Sequence, residues 1–249
     1  MQKALDIFTK AEVDALCERS NWQAALLILH CWGTILLTWA ICVIWTNPFT
    51  ILLGILVIGA RQLGLFVIAH DAAHFLLFKS RKTNDWAAEW LLQRPVLGAS
   101  IVPYRNYHLT HHRYTQQEND PDLPLSAPFP ITKQSFRRKM IRDITGRTGW
   151  GQHTDTIKRA FGTTDMSWTD RLRKGARRMG PNLLINLGFL AGFTYVGHWY
   201  LYFLLWIVPL FTWQLVITRI RNIAEHACVP DNNNSLKNTR TTYANPLMR

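Results

Sequence analysis

The sequence is poor in cysteine and in acidic residues. Its four cysteines form no Cys-x-x-Cys pair, so neither a disulfide framework nor a cysteine-based zinc site is expected. Only 16 Asp and Glu stand against 28 Lys and Arg, which gives a formal net charge of +12. There is no internal repeat, no low-complexity tract and no cleavable signal pattern ahead of the first apolar stretch.

Long apolar stretches with at most one charge predict a multi-pass membrane protein. They cover residues 21–45, 48–70 and 181–217. A membrane-spanning helix needs about 20 mostly apolar residues, so the third stretch is long enough for two helices, with a break near residues 197–199. We therefore expect an all-α protein, organised as a single domain over residues 1–249. Its four transmembrane helices are expected near residues 22–45, 49–68, 181–196 and 200–218.

The distribution of basic residues predicts the orientation in the membrane. Between Lys79 and Arg178 lie 19 of the 28 Lys and Arg, and none lies in the connections at residues 46–48 and 197–199. By the positive-inside rule, both termini and the segment 79–178 are cytoplasmic. Because topology accounts for the basic charge, we expect no nucleic acid as a partner. Anionic lipid headgroups or an acidic electron-donor protein are the expected contacts of this face.

Shorter patterns divide the polar parts of the chain. Thr9-x-x-Glu12 is a capping box that predicts a short amphipathic helix near the N-terminus. Helices are expected near residues 85–93 at the membrane interface and from about residue 102 to 114. Two basic amphipathic helices are expected at 135–144 and 167–179, whereas the glycine-rich residues 145–155 predict a loop. Together these helices would form a cytoplasmic cap.

Six of the nine histidines fall into three clusters at predicted cytoplasmic positions. The first two clusters have i, i+3 or i+4 spacing, which places imidazoles on one face of a helix at distances that suit a shared metal ion. The third is a single histidine beyond the fourth span, with an asparagine one turn before it. We expect His30, His153 and His198 not to be ligands. The clusters are His70 and His74; His108, His111 and His112; and Asn222 with His226.

The number and type of these ligands predict two metal ions. Imidazole binds Zn, Cu, Fe and Ni, and six histidines exceed the needs of one zinc ion. A dinuclear site at the ends of apolar helices suggests oxygen activation on an apolar substrate, because acid or base groups do not activate alkyl carbon–hydrogen bonds.

These motifs resemble the membrane fatty acid desaturase family. The resemblance rests on three motifs, His70-x-x-x-His74, His108-x-x-His111-His112 and Asn222-x-x-x-His226. The run Asn119-Asp-Pro-Asp122, which follows the second motif, adds to it. It implies a di-iron centre, O₂ as co-substrate, electrons from a ferredoxin or cytochrome b5 type donor, and a lipid or carrier-bound acyl chain as substrate. It also implies that the six histidines are iron ligands and that Asn222 supports the site through a water. Asp71 is a candidate hydrogen-bond partner of a ligand imidazole.

One departure from the family pattern leads to a further expectation. The family has another His-x-x-His-His after the Asn-x-x-x-His histidine, whereas none of the 23 residues after His226 provides it. We therefore expect this chain to be a fragment, or the product of a shortened gene, and to be inactive alone.

Three functions other than desaturation remain as alternatives. A hydroxylase or ketolase of the same superfamily shares the expected site and differs only in product. A haem-binding electron-transfer protein or a metal transporter belongs to another class. Both would place ligands at bilayer depth, where only His30 and Arg61 are predicted to lie.

Overall fold

The structure is a computed structural model that describes residues 6–234 and 236–243, and over these residues it is built from helices and connecting turns. Residues 1–5 and 244–249, at the two ends of the chain, therefore lie outside the described residues. Two π-helical turns, Ala88–Gln93 and Phe203–Ile207, extend the short helices Arg81–Ala87 and Trp199–Tyr202. The helices are α1 (Lys10–Leu16), α2 (Asn21–Ile44), α3 (Pro48–Ala73), α4 (Arg81–Ala87), α5 (Ile101–Tyr114), α6 (Leu123–Ser126), α7 (Lys133–Ile144), α8 (Arg147–Ala160), α9 (Trp168–Tyr195), α10 (Trp199–Tyr202), α11 (Val208–Phe211) and α12 (Trp213–His226).

Three helical stretches are long and apolar enough to cross a membrane: Lys10–Ile44, Pro48–Ala73 and Trp199–His226. They correspond to the first, second and fourth predicted spans. The third predicted span, residues 181–196, is the second half of α9, whose first half is basic, and it is not among the three. The all-α, membrane-type fold is confirmed, whereas the fourth span, the cytoplasmic cap and the single-domain boundary remain predictions.

The turns between the apolar helices follow from local sequence. The Asn47 side chain accepts hydrogen bonds from the backbone N–H groups of Phe49 and Thr50, and Pro48 occupies the first turn of α3. At the end of α9, Gly197 has a φ of +82°, a left-handed conformation that glycine adopts without steric cost. Both connections lie where the sequence predicted them.

An aromatic cluster holds the apolar helices together. Trp206 is fully buried, and the ring centroids of Trp32, Trp39 and Phe189 lie 5.9, 5.3 and 5.3 Å from its own. The Gln62 side chain donates a 2.8 Å hydrogen bond to the Trp206 carbonyl, which lies in a π-helical turn. This bond fixes α3 against the helical stretch that ends in α12, and both helices carry histidines at their C-terminal ends.

A buried polar network fixes the segment that leads into α5. Asn186 on α9 donates to the Pro95 carbonyl at 3.1 Å and accepts from Tyr202 at 3.1 Å and from the Trp206 indole N–H at 3.0 Å. Arg94 forms an ion pair with Glu89 and donates to the Asn182 side chain. Because these groups satisfy one another, the segment is held although it lacks regular structure.

The predicted loop at residues 145–155 was wrong, because these residues lie mostly within α8. Glycine has a low helix propensity, which favoured the loop prediction. In the folded chain a Cβ atom at Gly149 would lie 2.6 Å from the Phe211 carbonyl oxygen. Close packing of α8 against α11 requires glycine here, and this tertiary contact outweighs propensity.

Candidate metal centre

Three helices carry the six predicted histidine ligands. His70 lies in the last turn of α3, and His74 follows that helix directly as its C-cap. His108, His111 and His112 lie on α5, and His226 is the last residue of α12.

Four of the imidazoles converge on one point. The ligand nitrogens of His70, His74, His108 and His112 all lie within 4.8 Å of one another. The Nε2 atom of His108 is 2.9 Å from Nε2 of His74 and 2.9 Å from Nε2 of His112. Nitrogens that share one metal ion at about 2.1 Å stand at similar separations, so this donor set fits a metal ion.

The remaining two histidines form a second pair beside these four. The ring centroids of His111 and His226 lie 4.9 Å apart, and the His111 ring is 5.6 Å from that of His112. Among the described residues, no hydrogen-bond partner reaches the buried Nδ1 atom of His226. A buried nitrogen without a partner is costly, and a ligand at this position would satisfy it.

Two carboxylates orient imidazoles of the cluster. The Nδ1 atom of His70 lies 3.1 Å from Asp71, and Nδ1 of His111 lies 2.7 Å from Asp120. Asp120 is buried and also accepts backbone N–H bonds from Gln116 and Asp122, both at 2.8 Å. In both contacts the imidazole keeps Nε2 for another partner.

Asp120 was missed as a site residue by sequence reasoning. It lies within the quoted Asn119-Asp-Pro-Asp122 run, which was the available signal, but the sequence assigned it no role. Its partner His111 is nine residues earlier, and only the turn after α5 brings the two side chains together.

Three imidazoles of the cluster have lowered pKa values. Burial, and then the neighbouring imidazoles, lower the pKa of His108 to about 3 and the pKa of His112 to about 4. The pKa of His74 is also lowered, by burial and then by His70. These rings are therefore neutral at physiological pH, which is the form that binds metal ions.

A cavity of about 580 Å³ opens onto five of the six predicted ligands, all except His74. One part of its wall is apolar and includes Leu63, Phe66 and Leu210. Asn222 and Glu225 also line it, beside His226. A second cavity, of about 740 Å³, shares Tyr104, Tyr107 and Gln152 with the first, and Arg159 and Arg178 line its wall.

The other three histidines lie apart from the cluster. His30 is exposed on α2, and His198 contacts the hydroxyl of Tyr200 at 3.0 Å. His153 also lines the histidine cavity, but its ring stacks on Phe211, with a centroid distance of 4.3 Å.

The fold and the site define a class: an all-helical protein with membrane-type helices and a cluster of imidazoles formed by the ends of two of them, α3 and α12, together with α5. The chain matches the fatty acid desaturase family over residues 46–249, which is most of its length. It therefore belongs to the fatty acid desaturase family.

Two relatives from bacteria resemble this chain. Dihydrorhizobitoxine desaturase of Bradyrhizobium elkanii is 30% identical over 194 residues, covering 74% of this chain and 52% of that protein. Beta-carotene ketolase of Paracoccus sp. (strain PC1) is 31% identical over 102 residues, covering 41% of this chain and 40% of that protein. The chain thus spans about half of the first relative and less of the second.

Proposed function

We propose that this chain forms the metal-binding core of a membrane oxidoreductase that introduces a double bond into an acyl chain at a di-iron centre. The observation that carries the proposal is the convergence of His70, His74, His108 and His112 within 4.8 Å, beside the pair His111 and His226. Family membership and the desaturase relative support oxidoreductase activity on a carbon chain.

The six histidines would hold the two ions. His70, His74, His108 and His112 would hold one of them, and His111 and His226 would contribute to the other. Asn222, one turn before His226 on the cavity wall, would support the second ion through a water. The chemistry that two irons supply when bound is activation of O₂ against an unactivated carbon–hydrogen bond.

The chain's own residues would orient ligands and substrate. Asp71 and Asp120 hold the Nδ1 positions of His70 and His111, so each ring directs Nε2 toward the cavity. The apolar wall made by Leu63, Phe66 and Leu210 would hold an alkyl chain beside the histidines and exclude water.

The second cavity supports a substrate with an anionic head. Arg94 uses its donors on Glu89, Asn182 and the Arg178 carbonyl, so it is structural. Arg159 and Arg178 are exposed at the cavity wall and have donors beyond those used on backbone carbonyls. A carboxylate or phosphate there would place the attached chain past Tyr104 toward the histidines, as a lipid or carrier-bound acyl group requires.

Electrons would reach the site from a ferredoxin or cytochrome b5 type protein. The basic residues of α7, α8 and the first half of α9 would attract an acidic donor or anionic lipid headgroups. On this proposal the protein is an integral membrane protein whose termini and metal site face the cytoplasm.

The test is to reconstitute the complete gene product with ferrous iron, O₂ and a reduced ferredoxin, and to supply isotopically labelled acyl lipids. Residues 1–249 alone, which are expected to be inactive, are the comparison. Desaturated product and about two irons per chain are expected. Zinc alone in the purified protein, or a site that takes up no iron, would contradict the proposal.

A ketolase or hydroxylase activity is the second candidate, because one relative is a carotenoid ketolase. The histidine geometry suits either reaction, so the products decide. Oxygenated lipid or carotenoid in the same assay, without unsaturated product, would favour this candidate.

A further inference from the structure

Arg105 connects the two helices that carry the converging histidines. It lies on α5, one turn before His108, and is buried. Its side chain crosses to the C-terminal end of α3, directly beside His74. Neither the histidine motifs nor their predicted spacing assigned it a role.

The guanidinium caps the last turn of α3. Its Nε donates to the Ala73 carbonyl at 2.9 Å, and its Nη2 donates to the Ala72 carbonyl at 3.1 Å. The final carbonyls of a helix have no partner within the helix. Among the described residues, Arg105 supplies the hydrogen bond to the buried Ala73 carbonyl.

A carboxylate holds the guanidinium in place. Asp85 on α4 accepts from Nη1 at 3.3 Å and from Nη2 at 2.5 Å. Burial favours a higher pKa for Asp85, but the hydrogen bonds from Arg105 and Asn84 hold its pKa below the ordinary value. Arg105 therefore joins three helices in one fixed geometry, which a planar, bidentate donor achieves and a lysine does not.

The turn that follows His74 also depends on Arg105. Phe75 has a φ of +59°, a left-handed conformation that costs a bulky residue about 1–3 kcal/mol. The Arg105 guanidinium carbon lies 3.8 Å from the centroid of the Phe75 ring. This cation–π contact stabilises the strained residue on the C-terminal side of His74.

We infer that Arg105 is a positioning residue that sets the His74 imidazole against those of His108 and His112. Arg105 contacts the residues on both sides of His74, through the Ala73 carbonyl and the Phe75 ring, and lies on the same helix as the other two histidines. The 2.9 Å separation between the Nε2 atoms of His74 and His108 is the distance that it maintains. The inference rests on the metal-binding function proposed above.

Another buried arginine provides a matched control. Arg94 is as buried as Arg105, at 8%, and it likewise pairs with a carboxylate and a backbone carbonyl. Its partners belong to the segment before α5 and to α9, not to the end of α3. Loss of either arginine is expected to lower thermal stability, but only loss of Arg105 is expected to alter the histidine cluster.

The experiment is a Co²⁺ titration of the full chain in detergent, followed by visible absorption. Arg105→Gln is expected to weaken Co²⁺ binding by about 10–100-fold and to shift the absorption bands, as loss of groups that orient ligands does. Arg105→Lys keeps the cation but offers a single donor nitrogen in place of the planar guanidinium, so it is expected to fold and to give an intermediate loss. Arg94→Gln is expected to lower the melting temperature while the Co²⁺ affinity and spectrum stay unchanged. Wild-type affinity and spectrum in both Arg105 variants would overturn the inference.

A second measurement needs no metal and separates the two proposals. In a chain with Cys17→Ser and Cys228→Ser, which removes the exposed native thiols, and with His74→Cys and His108→Cys, a short bifunctional thiol reagent is expected to link the two positions. Arg105→Gln is expected to abolish the link. If wild-type chain takes up no Co²⁺ but the link still depends on Arg105, the metal function is wrong and the positioning role stands. Equal linking with and without Arg105 would contradict the positioning role.

Discussion

The Nε2 atoms of His74 and His108 lie 2.9 Å apart, although 34 residues separate them in the chain. Each side chain belongs to a different histidine cluster, one at the end of α3 and one on α5. His108 makes the same contact with His112, so a single imidazole links the first cluster to the second. The partners of these histidines determine the expected effect of each substitution at or near this contact.

His111→Ala is expected to abolish turnover while leaving membrane insertion intact. His111 pairs with His226 and is held by Asp120, so its loss removes one predicted ligand of the second ion. The measurement is product formation by the reconstituted complete gene product that carries His111→Ala, together with membrane fractionation. His198→Ala, which changes a histidine outside the cluster, is the control and should keep full activity. Full turnover in His111→Ala would show that the motif His108-x-x-His111-His112 does not belong to the site.

Asp120→Asn is expected to weaken metal binding by about 10–100-fold without unfolding the protein. Asparagine keeps the size of the side chain but loses the negative charge that orients the His111 ring. The measurement is a competition titration against a chelator of known affinity. Glu118→Gln, an exposed position in the same turn, is the control. Equal affinities in the two variants would show that Asp120 has no influence on the ligand.

Ferrous iron is expected to raise the melting temperature of the purified chain. A ligand that binds only the folded state at about 100 times its Kd stabilises it by about 2.7 kcal/mol. A chelator should reverse the shift, and His108→Ala should show much less of it because His108 contacts two other imidazoles of the cluster. An equal shift in His108→Ala would place iron binding elsewhere.

Gly149→Ala and Gly151→Ala are expected to have opposite effects on stability, although both lie in α8. A Cβ at Gly149 would lie 2.6 Å from the Phe211 carbonyl oxygen and 2.8 Å from its Cα, so the substitution forces α8 away from α11. At Gly151 a Cβ meets nothing within 4 Å, and alanine should gain up to about 1 kcal/mol of helix propensity. Thermal unfolding in detergent measures both effects, and a melting temperature unaffected by Gly149→Ala would contradict the packing argument.

Arg159→Gln combined with Arg178→Gln is expected to raise KM for an anionic substrate about tenfold or more, with little change in kcat. Charge-assisted hydrogen bonds to a carboxylate or phosphate contribute to binding, about 1.5–3 kcal/mol each, whereas the proposed metal centre is in the neighbouring cavity lined by the histidines. Arg173→Gln, an exposed cation on α9 outside that cavity, is the control. A KM that is insensitive to the double substitution would place the head group elsewhere.

Apolar length and histidine spacing were enough to predict the helices that carry the site. Hydrophobic stretches of membrane-spanning length predicted α2, α3 and the stretch that ends in α12, because such helices form their backbone hydrogen bonds internally. The i, i+4 spacing of His70 and His74 predicted a shared helical face, which the 5.0 Å separation of their ring centroids confirms. The basic first half of α9 obscured where that helix begins and ends, because its charge pattern predicted two separate elements.

The sequence by itself determined the helical class, the connections at Asn47 and Gly197, and the histidine-bearing helix faces, since each of these depends on neighbours a few residues apart. Only the tertiary structure decided which of the three sequence clusters contact one another, because the contacts His74–His108 and His111–His226 join different helices. It also decided that Asp120 lies beside His111, that Arg105 caps the end of α3, and that glycine-rich α8 is a helix. Each of these depends on hydrogen bonds or close packing between segments distant in the chain, and local sequence patterns carry no information about such contacts.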